Sequence, residues 1–367
     1  MADRISKLPD EVLCQILSFL PTEDAVATSV LCKRWSSLWL SVPTLDFDDY
    51  RYLKGKKLKL QSSFINFVYA IILSRALHQP IKNFTLSVIS EECPYPDVKV
   101  WLNAAMQRQV ENLDICLSLS TLPCSILSCT TLVVLKLSDV KFHVFSCVDL
   151  PSLKTLHLEL VVILNPQSLM DLLYGCPVLE DLEIDEIPFV SDDGPSFEGK
   201  VKSLSKLVRA EVFLYDDFCI PVEAFRNVQV LHLNQCDADI PVFHNLIHMK
   251  LFFGHSITWS VALDMLNHCP KLQTVVFDLT SHDEDDVWLD PSFVPECFSS
   301  HLRKCFLRDF EGLECHMRFA RYVLKNSTSL RTMTIHSMCQ NREKEHEMIK
   351  EFASYPRSSS ICELLFK

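Results

Sequence analysis

Glycine is scarce in this chain, with only six among 367 residues. None of them builds a GxGxxG or GxxxxGK[ST] loop, so the phosphate-cradling turns of nucleotide-binding enzymes are excluded, and none supplies the turn of a calcium loop. Long apolar runs are also missing. The longest, Phe67 to Leu73 (FVYAIIL), is far shorter than the roughly 20 residues that span a bilayer. The opening MADRISKLPDEVL places acidic residues where a secretory leader needs a continuous apolar stretch. The chain therefore reads as intracellular, nuclear or cytoplasmic, with no membrane partner. Positive charge is in deficit, with 35 Lys and Arg against 47 Asp and Glu and a net charge of −12. That balance argues against a phosphate-tracking surface, and no nucleic-acid partner is expected.

Metal and catalytic signatures are equally thin. Sixteen cysteines are present, yet no CxxC pair occurs and no Cys/His set has zinc-finger or RING spacing; Cys124 and Cys129 lack a second half. In an intracellular chain they read as free thiols used as small hydrophobes. Cys315-His316 lacks an orienting third group, the thirteen histidines scatter singly, and Asp283 to Asp286 reads as a solvated loop. The lysines at 54, 56, 57 and 59 read the same way. No enzyme, metal or cofactor is expected.

What is present begins at residues 5–45. Leu8-Pro9-Asp10-Glu11 suits a helix start, with proline at the first position and carboxylates where the dipole favours them. Val12, Ile16 and Phe19, with Leu13, Leu17 and Leu20, recur at helical spacing until Pro21. Thr22 is placed to cap a second helix, and a third segment carries Trp35, Leu38 and Trp39 before Pro43. Three helices in about 40 residues cannot enclose that much apolar surface, so either the rest of the chain or another protein covers it.

LPDEVLCQILSFLP followed by CKRWSSLW resembles the F-box family in order and spacing. The resemblance implies docking to the Skp adaptor of a cullin-type ubiquitin ligase. Leu8, Pro9, Ile16, Leu20, Pro21, Val30, Trp35 and Leu38 would form the adaptor-facing surface. The residue pattern alone also fits a helical cap on a larger fold, with Trp35 and Trp39 as core.

Beyond an acidic-aromatic turn at Asp46 to Tyr50 and a helix expected over Phe64 to Leu77, a motif of the form LxxLxL recurs. It starts at Ile81, Val110, Leu132, Leu153, Leu179, Leu207, Val228, Leu246, Leu272, Leu302 and Leu330. Its spacing of about 18 to 30 residues is around that of leucine-rich repeats. Positions four and six point inward by the strand period of two, and position five points outward. Helical connections are expected in PQSLMDLLYGCPVL, ALDMLNHCPKL and RYVLKNSTSL. Stacked units of this kind bury what one unit cannot, giving a solenoid. Only Cys236 occupies the Asn/Cys position that bonds the turn backbone in the leucine-rich family.

The segment from Val294, with VPECFSSHLRKCFLRDFEGLECHMRFARYVLKNSTSLRTMTI and the later ICELLF, is similar to the FBD module of plant F-box proteins. Together these resemblances imply a plant source and an α/β (α+β solenoid) fold. Its parts would be an F-box at 1–48, a helical connection at 49–80, leucine-rich repeats at 81–293 and an FBD module at 294–367 closing the end. The chain would be a non-catalytic, substrate-recognition subunit of a Skp–cullin–F-box ligase, binding Skp, through it a cullin, and an unidentified protein target. A scaffold acting without ubiquitin transfer is the alternative. The outward row gives His157, Glu183, Glu211, His232, Lys250, Val276 and Phe306 as candidate target contacts, with Val276 and Phe306 as exposed anchors.

Overall fold

The computed structural model describes residues 5–54, 61–89, 95–142, 147–190, 201–214, 220–236, 239–254, 257–279, 288–338 and 342–367. The lysines at 56, 57 and 59 and the acidic run 283–286 lie outside them. The architecture is mixed α/β, and the chain divides into two compact units, 1–179 with 186–194 and 180–185 with 195–367.

The first unit opens with α1 (Asp10–Leu17) and α2 (Thr22–Ala27). The third expected helix is instead a set of turns ending in a 3-10 helix at Leu38–Ser41. One side-chain hydroxyl, one non-helical residue and a proline explain this. Ser36 Oγ turns back to the Lys33 carbonyl, Ser37 is non-helical, and Pro43 forbids continuation. Nor does Thr22 cap α2: Pro21 holds the cap position, and the Thr22 hydroxyl accepts a hydrogen bond from the Asp46 amide at 2.8 Å. Asp46 belongs to β1 (Thr44–Asp48), which α3 (Asp49–Leu53) follows, so the expected acidic-aromatic turn is a strand and a helix. Its pattern, Leu45 and Phe47 buried between half-buried polar residues, is the same strand alternation as in β2, here preceded by Pro43 and followed by acids.

The unit continues with α4 (Gln61–Ser74), β2 (Asn83–Ser87), α5 (Tyr95–Met106), β3 (Asn112–Leu122), β4 (Val134–Phe142), β5 (Thr155–Val162) and α6 (Pro166–Tyr174). α4 stops before the expected end, leaving Leu77 outside it and exposed. Next to that end, buried Arg75 donates to the carbonyls of Val42 at 2.6 Å and Trp39 at 2.7 Å. Burial, reinforced by Arg108, lowers its pKa to about 10, so it stays charged at neutral pH while tying α4 to the N-terminal helices. Strands β1 to β5 pair in parallel, each with the next in the chain.

The second unit contains β6 (Asp181–Asp185), β7 (Arg209–Phe213), β8 (Val230–Leu233), β9 (His248–Phe252), α7 (Trp259–Asn267), β10 (Thr274–Asp278), α8 (Glu296–Ser300), β11 (Lys304–Phe310), α9 (Glu314–Asn326), β12 (Thr332–Ser337), α10 (Arg342–Ser354) and β13 (Glu363–Phe366). These strands also pair in parallel with their chain neighbours. All eleven LxxLxL motifs thus form strands, their fourth and sixth residues pointing into the core. Beneath β9 and β10, Phe253, Trp259, Phe277, Trp288 and Phe319 make one aromatic cluster, with the Trp259 and Phe319 rings 4.6 Å apart and Phe277 and Phe319 4.8 Å apart. His316 packs in the core between the Phe310 and Trp259 rings.

The described cysteines are all free. Burial pushes the thiols of Cys176 and Cys297 up to about 12, and those of Cys269 and Cys305 upward as well. They remain protonated and act as small core residues. The turn-backbone bond expected of Cys236 is made by Asn234, whose Oδ1 accepts from the Leu214 amide and whose Nδ2 donates to the Leu214 carbonyl. Cys236 is buried with its sulfur 3.9 Å from that of Met265. With few glycines to use, the strand ends take left-handed backbone on other residues. Asp139, Leu160, Glu186 and Asp309 sit at the same place in their motifs, with φ between 52° and 54°.

Candidate functional site

Two surfaces collect the candidate residues. On the N-terminal helices, Leu13 and Leu17 of α1, Ala25 of α2, Trp35, Leu38 and Val42 form a closed apolar core, with Leu8 and Cys14 packed against it. Trp35 and Leu38 are each 6% exposed, so they hold the helices together and are not surface contacts, a correction to the expected docking set. Pro9, Ile16, Leu20 and Val30 are exposed, and Pro21 is half-buried. Phe19 (81% exposed), Val30 (83%) and Leu31 (64%) are apolar side chains facing water at and just beyond the ends of these helices. Phe19 and Leu31, absent from the expected docking set, belong to the same apolar runs. Arg34 fixes the start of α1, its Nε donating to Asp10 at 2.9 Å and its Nη2 to the Leu8 carbonyl at 2.5 Å.

The second surface is the outward face of the strands. In the first unit, register pairs Asp46 with Thr85, Thr85 with Asp114, Asp114 with Lys136, and Lys136 with half-buried His157. In the second, the row runs Glu183, Glu211, His232, Lys250, Val276, Phe306, Thr334 and Leu365. Position five therefore lies on one continuous row within each unit, as the period requires.

Five of these residues, Glu211, His232, Lys250, Val276 and Phe306, line a groove of about 450 Å³ on the second unit. Glu183 neighbours Glu211 but does not line it, and His157 belongs to the first unit. Val276 is not an exposed anchor. It is 4% exposed, because its short side chain lies on the strand between those bearing Lys250 and Phe306. Phe306 is half-buried. The remaining walls are Phe213, His248, Phe252 and Arg308, from positions three and seven of the same motifs. The alternation that exposes position five exposes those positions too.

The groove's charges are mostly spoken for. Arg209 bridges Asp181 at 2.8 Å and Glu211 at 2.6 Å, and the same Glu211 oxygen accepts a hydrogen bond from His232 Nδ1 at 2.7 Å. Burial, with His248, Lys250, Arg209 and Arg308 adding positive charge nearby, lowers the His232 pKa to about 4. The contact with Glu211 is therefore a hydrogen bond from a neutral ring, since Arg209 already compensates that carboxylate. His248 is shifted down as well, chiefly by burial. Lys250 Nζ lies 3.2 Å from Asp278 and 3.7 Å from the centre of the Phe252 ring. Phe252 in turn meets Phe213 edge-on at 4.3 Å. Among the described residues no group of three or more His, Cys, Asp or Glu could hold a metal, and no helix is long and apolar enough to cross a membrane.

Helices exposing an apolar face, followed by parallel strands that repeat with one motif, define a protein built for binding. Comparison with known families agrees. The F-box domain model matches residues 5–46, the FBD model matches 290–335, and the leucine-rich repeats of the FBD-associated F-box protein At5g56370 match 98–193. The F-box/FBD/LRR-repeat protein At4g26340 of Arabidopsis thaliana is 32% identical over 425 residues, covering 99% of this chain and all of the relative. The FBD-associated F-box protein At4g10400 of the same plant is 31% identical, again covering 99% of this chain and all of the relative. The chain belongs to the F-box/FBD/LRR-repeat family. Proteins of the F-box and leucine-rich-repeat class are generally non-catalytic adaptors that recognise other proteins, and F-box domains typically bind Skp-type adaptors.

Proposed function

We propose that this chain is the substrate-recognition subunit of a Skp–cullin–F-box ubiquitin ligase, acting in the nucleus or cytoplasm. The observation that carries the reading is the division of labour in the N-terminal helices. Leu13, Leu17, Trp35 and Leu38 fill their core, while Ile16, Phe19, Leu20, Val30 and Leu31 are left in water. A helical segment that keeps so many large apolar side chains exposed after filling its own core is suited to a protein partner. Leu8, Pro9 and Pro21 at the helix starts would complete the Skp-facing surface.

The parts we propose are a docking domain at 1–48 whose last residues already form the first strand, a connection at 49–80, a repeat solenoid at 81–293 and an FBD module at 294–367. In that last part, β13 covers the outer edge of β12, which supports its role as a closure. The strand face would hold the target protein. No chemistry is required of this chain: by holding a target lysine beside an activated thioester carried by partner subunits, it would make transfer effectively unimolecular. Co-purification of a Skp-type adaptor and a cullin with the wild-type chain tests the proposal. A well-folded chain that captures neither would leave it a scaffold outside ubiquitin transfer.

A further inference from the structure

The strand-face groove has a chemistry specific enough to name what it takes, given the reading above that this face holds the target. Of its three formally charged lining residues, two have an ion-pair partner among the described residues: Glu211 with Arg209, which also holds Asp181, and Lys250 with Asp278, while His232 is neutral. Arg308 is exposed and has no anionic partner among the described residues. One guanidinium without an ion pair among the described residues therefore lines a groove that it shares with the rings of Phe213, Phe252 and Phe306, Val276, the neutral His232, His248, and the paired Glu211 and Lys250. A guanidinium presents a planar fork suited to a carboxylate, and an aromatic wall suits a large apolar side chain.

Spacing adds a second constraint. Phe306 and Arg308 alternate outward on β11, with Phe306 paired to Val276 and Arg308 to Asp278. Their Cα atoms are thus roughly 6.6 Å apart, twice the rise per strand residue. A partner lying along β11 meets both when its apolar and acidic side chains are separated by the same rise, at positions i and i+2 of an extended segment. The volume of about 450 Å³ suits one or two such side chains. Beneath it the aromatic cluster around Trp259, Phe277 and Phe319 holds the floor in place, so little ordering is needed on binding.

We infer that this groove captures an extended segment of the target protein carrying a large apolar residue, preferably aromatic, and an acidic residue two positions away, with Arg308 holding the carboxylate and Phe306 and Phe252 holding the apolar side chain. This site sets which degradation signal the chain recognises.

The test uses the full-length chain and a displayed library of random heptapeptides, followed by fluorescence anisotropy with the synthetic peptide Gly-Ser-Phe-Ser-Glu-Ser-Gly and its Gln and Lys counterparts. The expected enrichment is an aromatic or large aliphatic residue with Asp or Glu at i+2, and the Gln peptide should bind at least tenfold more weakly. Arg308→Gln should abolish that difference, and Arg308→Glu should transfer the preference to the Lys peptide. Thermal melting and adaptor co-purification are read on the same variants. Loss of adaptor capture by the wild type would count against the ligase reading, whereas the groove assignment stands or falls on the peptides. It is overturned if no acidic position is enriched, if the Glu and Gln peptides bind alike, or if Arg308→Glu keeps the original preference. Competition by benzoate at the same concentration as the peptide would make the occupant a small carboxylate and would equally overturn the assignment to a protein segment.

Discussion

The hydroxyl of Thr22, 4% exposed, accepts the amide hydrogen of Asp46 at 2.8 Å, and so fastens the first residue of α2 to the first strand of the sheet. The N-terminal helices are in this way continuous with the strands of their unit. Arg75 makes a second tie through the carbonyls of Trp39 and Val42. Thr22→Val keeps the shape and removes the acceptor, leaving the Asp46 amide without its partner at a cost of about 1–3 kcal/mol. Hydrogen exchange should show it first, as faster exchange at Asp46 and across residues 10–45, with β4 and β5 little changed.

Exposed and core apolar side chains separate cleanly in the N-terminal helices. Phe19→Asp with Val30→Asp alters two side chains that are over four-fifths exposed, so melting should hold. Adaptor affinity should fall at least thirtyfold, the equivalent of one apolar anchor worth about 2 kcal/mol. Trp35→Ala behaves in the opposite way. It empties a core position and should cost about 3–5 kcal/mol of stability, so any loss of adaptor binding accompanies unfolding of the helices. Titration calorimetry beside denaturant melts distinguishes the two classes. Undiminished adaptor binding by the double aspartate variant would remove this face from the interface.

Acid should loosen the second unit before the carboxylates titrate. His232 is neutral in the fold with a pKa of about 4, against 6.5 in the unfolded chain. Keeping that ring neutral favours the fold fully above pH 6.5. The contribution is lost as the pH falls from there toward 4, because the unfolded chain takes up the proton first. The size is on the order of 3 kcal/mol, and His248 acts in the same direction. His232→Gln should flatten the stability profile between pH 4 and 6.5 in urea melts. A profile as steep as that of the wild type would assign the acid sensitivity to other groups.

Left-handed backbone at Leu160 offers a gain in stability. Its φ is 52° and its side chain is 39% exposed, so the residue bears the steric cost of that conformation without a buried contact in return. At the equivalent places Asp139, Glu186 and Asp309 take the same φ. Leu160→Gly should stabilise the first unit by about 1 kcal/mol. Gly175 gives the contrary case. A methyl group there would clash with Val148 Cγ1 and lie 2.8 Å from the Val148 carbonyl oxygen, so Gly175→Ala should destabilise, by about 1–3 kcal/mol. Thermal melts of the two variants should shift in opposite directions.

The central strands and the row of position-five residues were readable because LxxLxL states both the strand and its inward face. β1 and β13 were less so. VPTLDF fits the motif with Val42 leading, but Pro43 within it and the acids at 46, 48 and 49 make it resemble a turn; ICELLF carries the motif with Ile361 leading and lies apart from the other units, after α10. Half of the groove was missed for a different reason. Phe213, His248, Phe252 and Arg308 occupy positions three and seven, and only register across strands shows that they join position five around one hollow. Val276 shows the limit more sharply. Its outward direction follows from the sequence, but its burial depends on how far Lys250 and Phe306 reach over it from the adjacent strands. Likewise Trp35 and Leu38 share an apolar pattern with Ile16 and Leu20, and helical spacing does not say which pair closes the core.

Among the described residues of each unit a strand bonds to the strands before and after it in the chain, at one register over the motif's third to sixth positions. Removing a strand together with its whole connection would bring two neighbours together already in step, with every leucine still facing inward. Removing a single residue inside a strand would turn the rest of that strand inside out. Length in this fold is therefore quantised over the motif: descendants of the chain can drop or duplicate whole turns, and smaller indels fall in the connections or beyond the motif, as the two extra residues of β3 between Cys116 and Ser120 do.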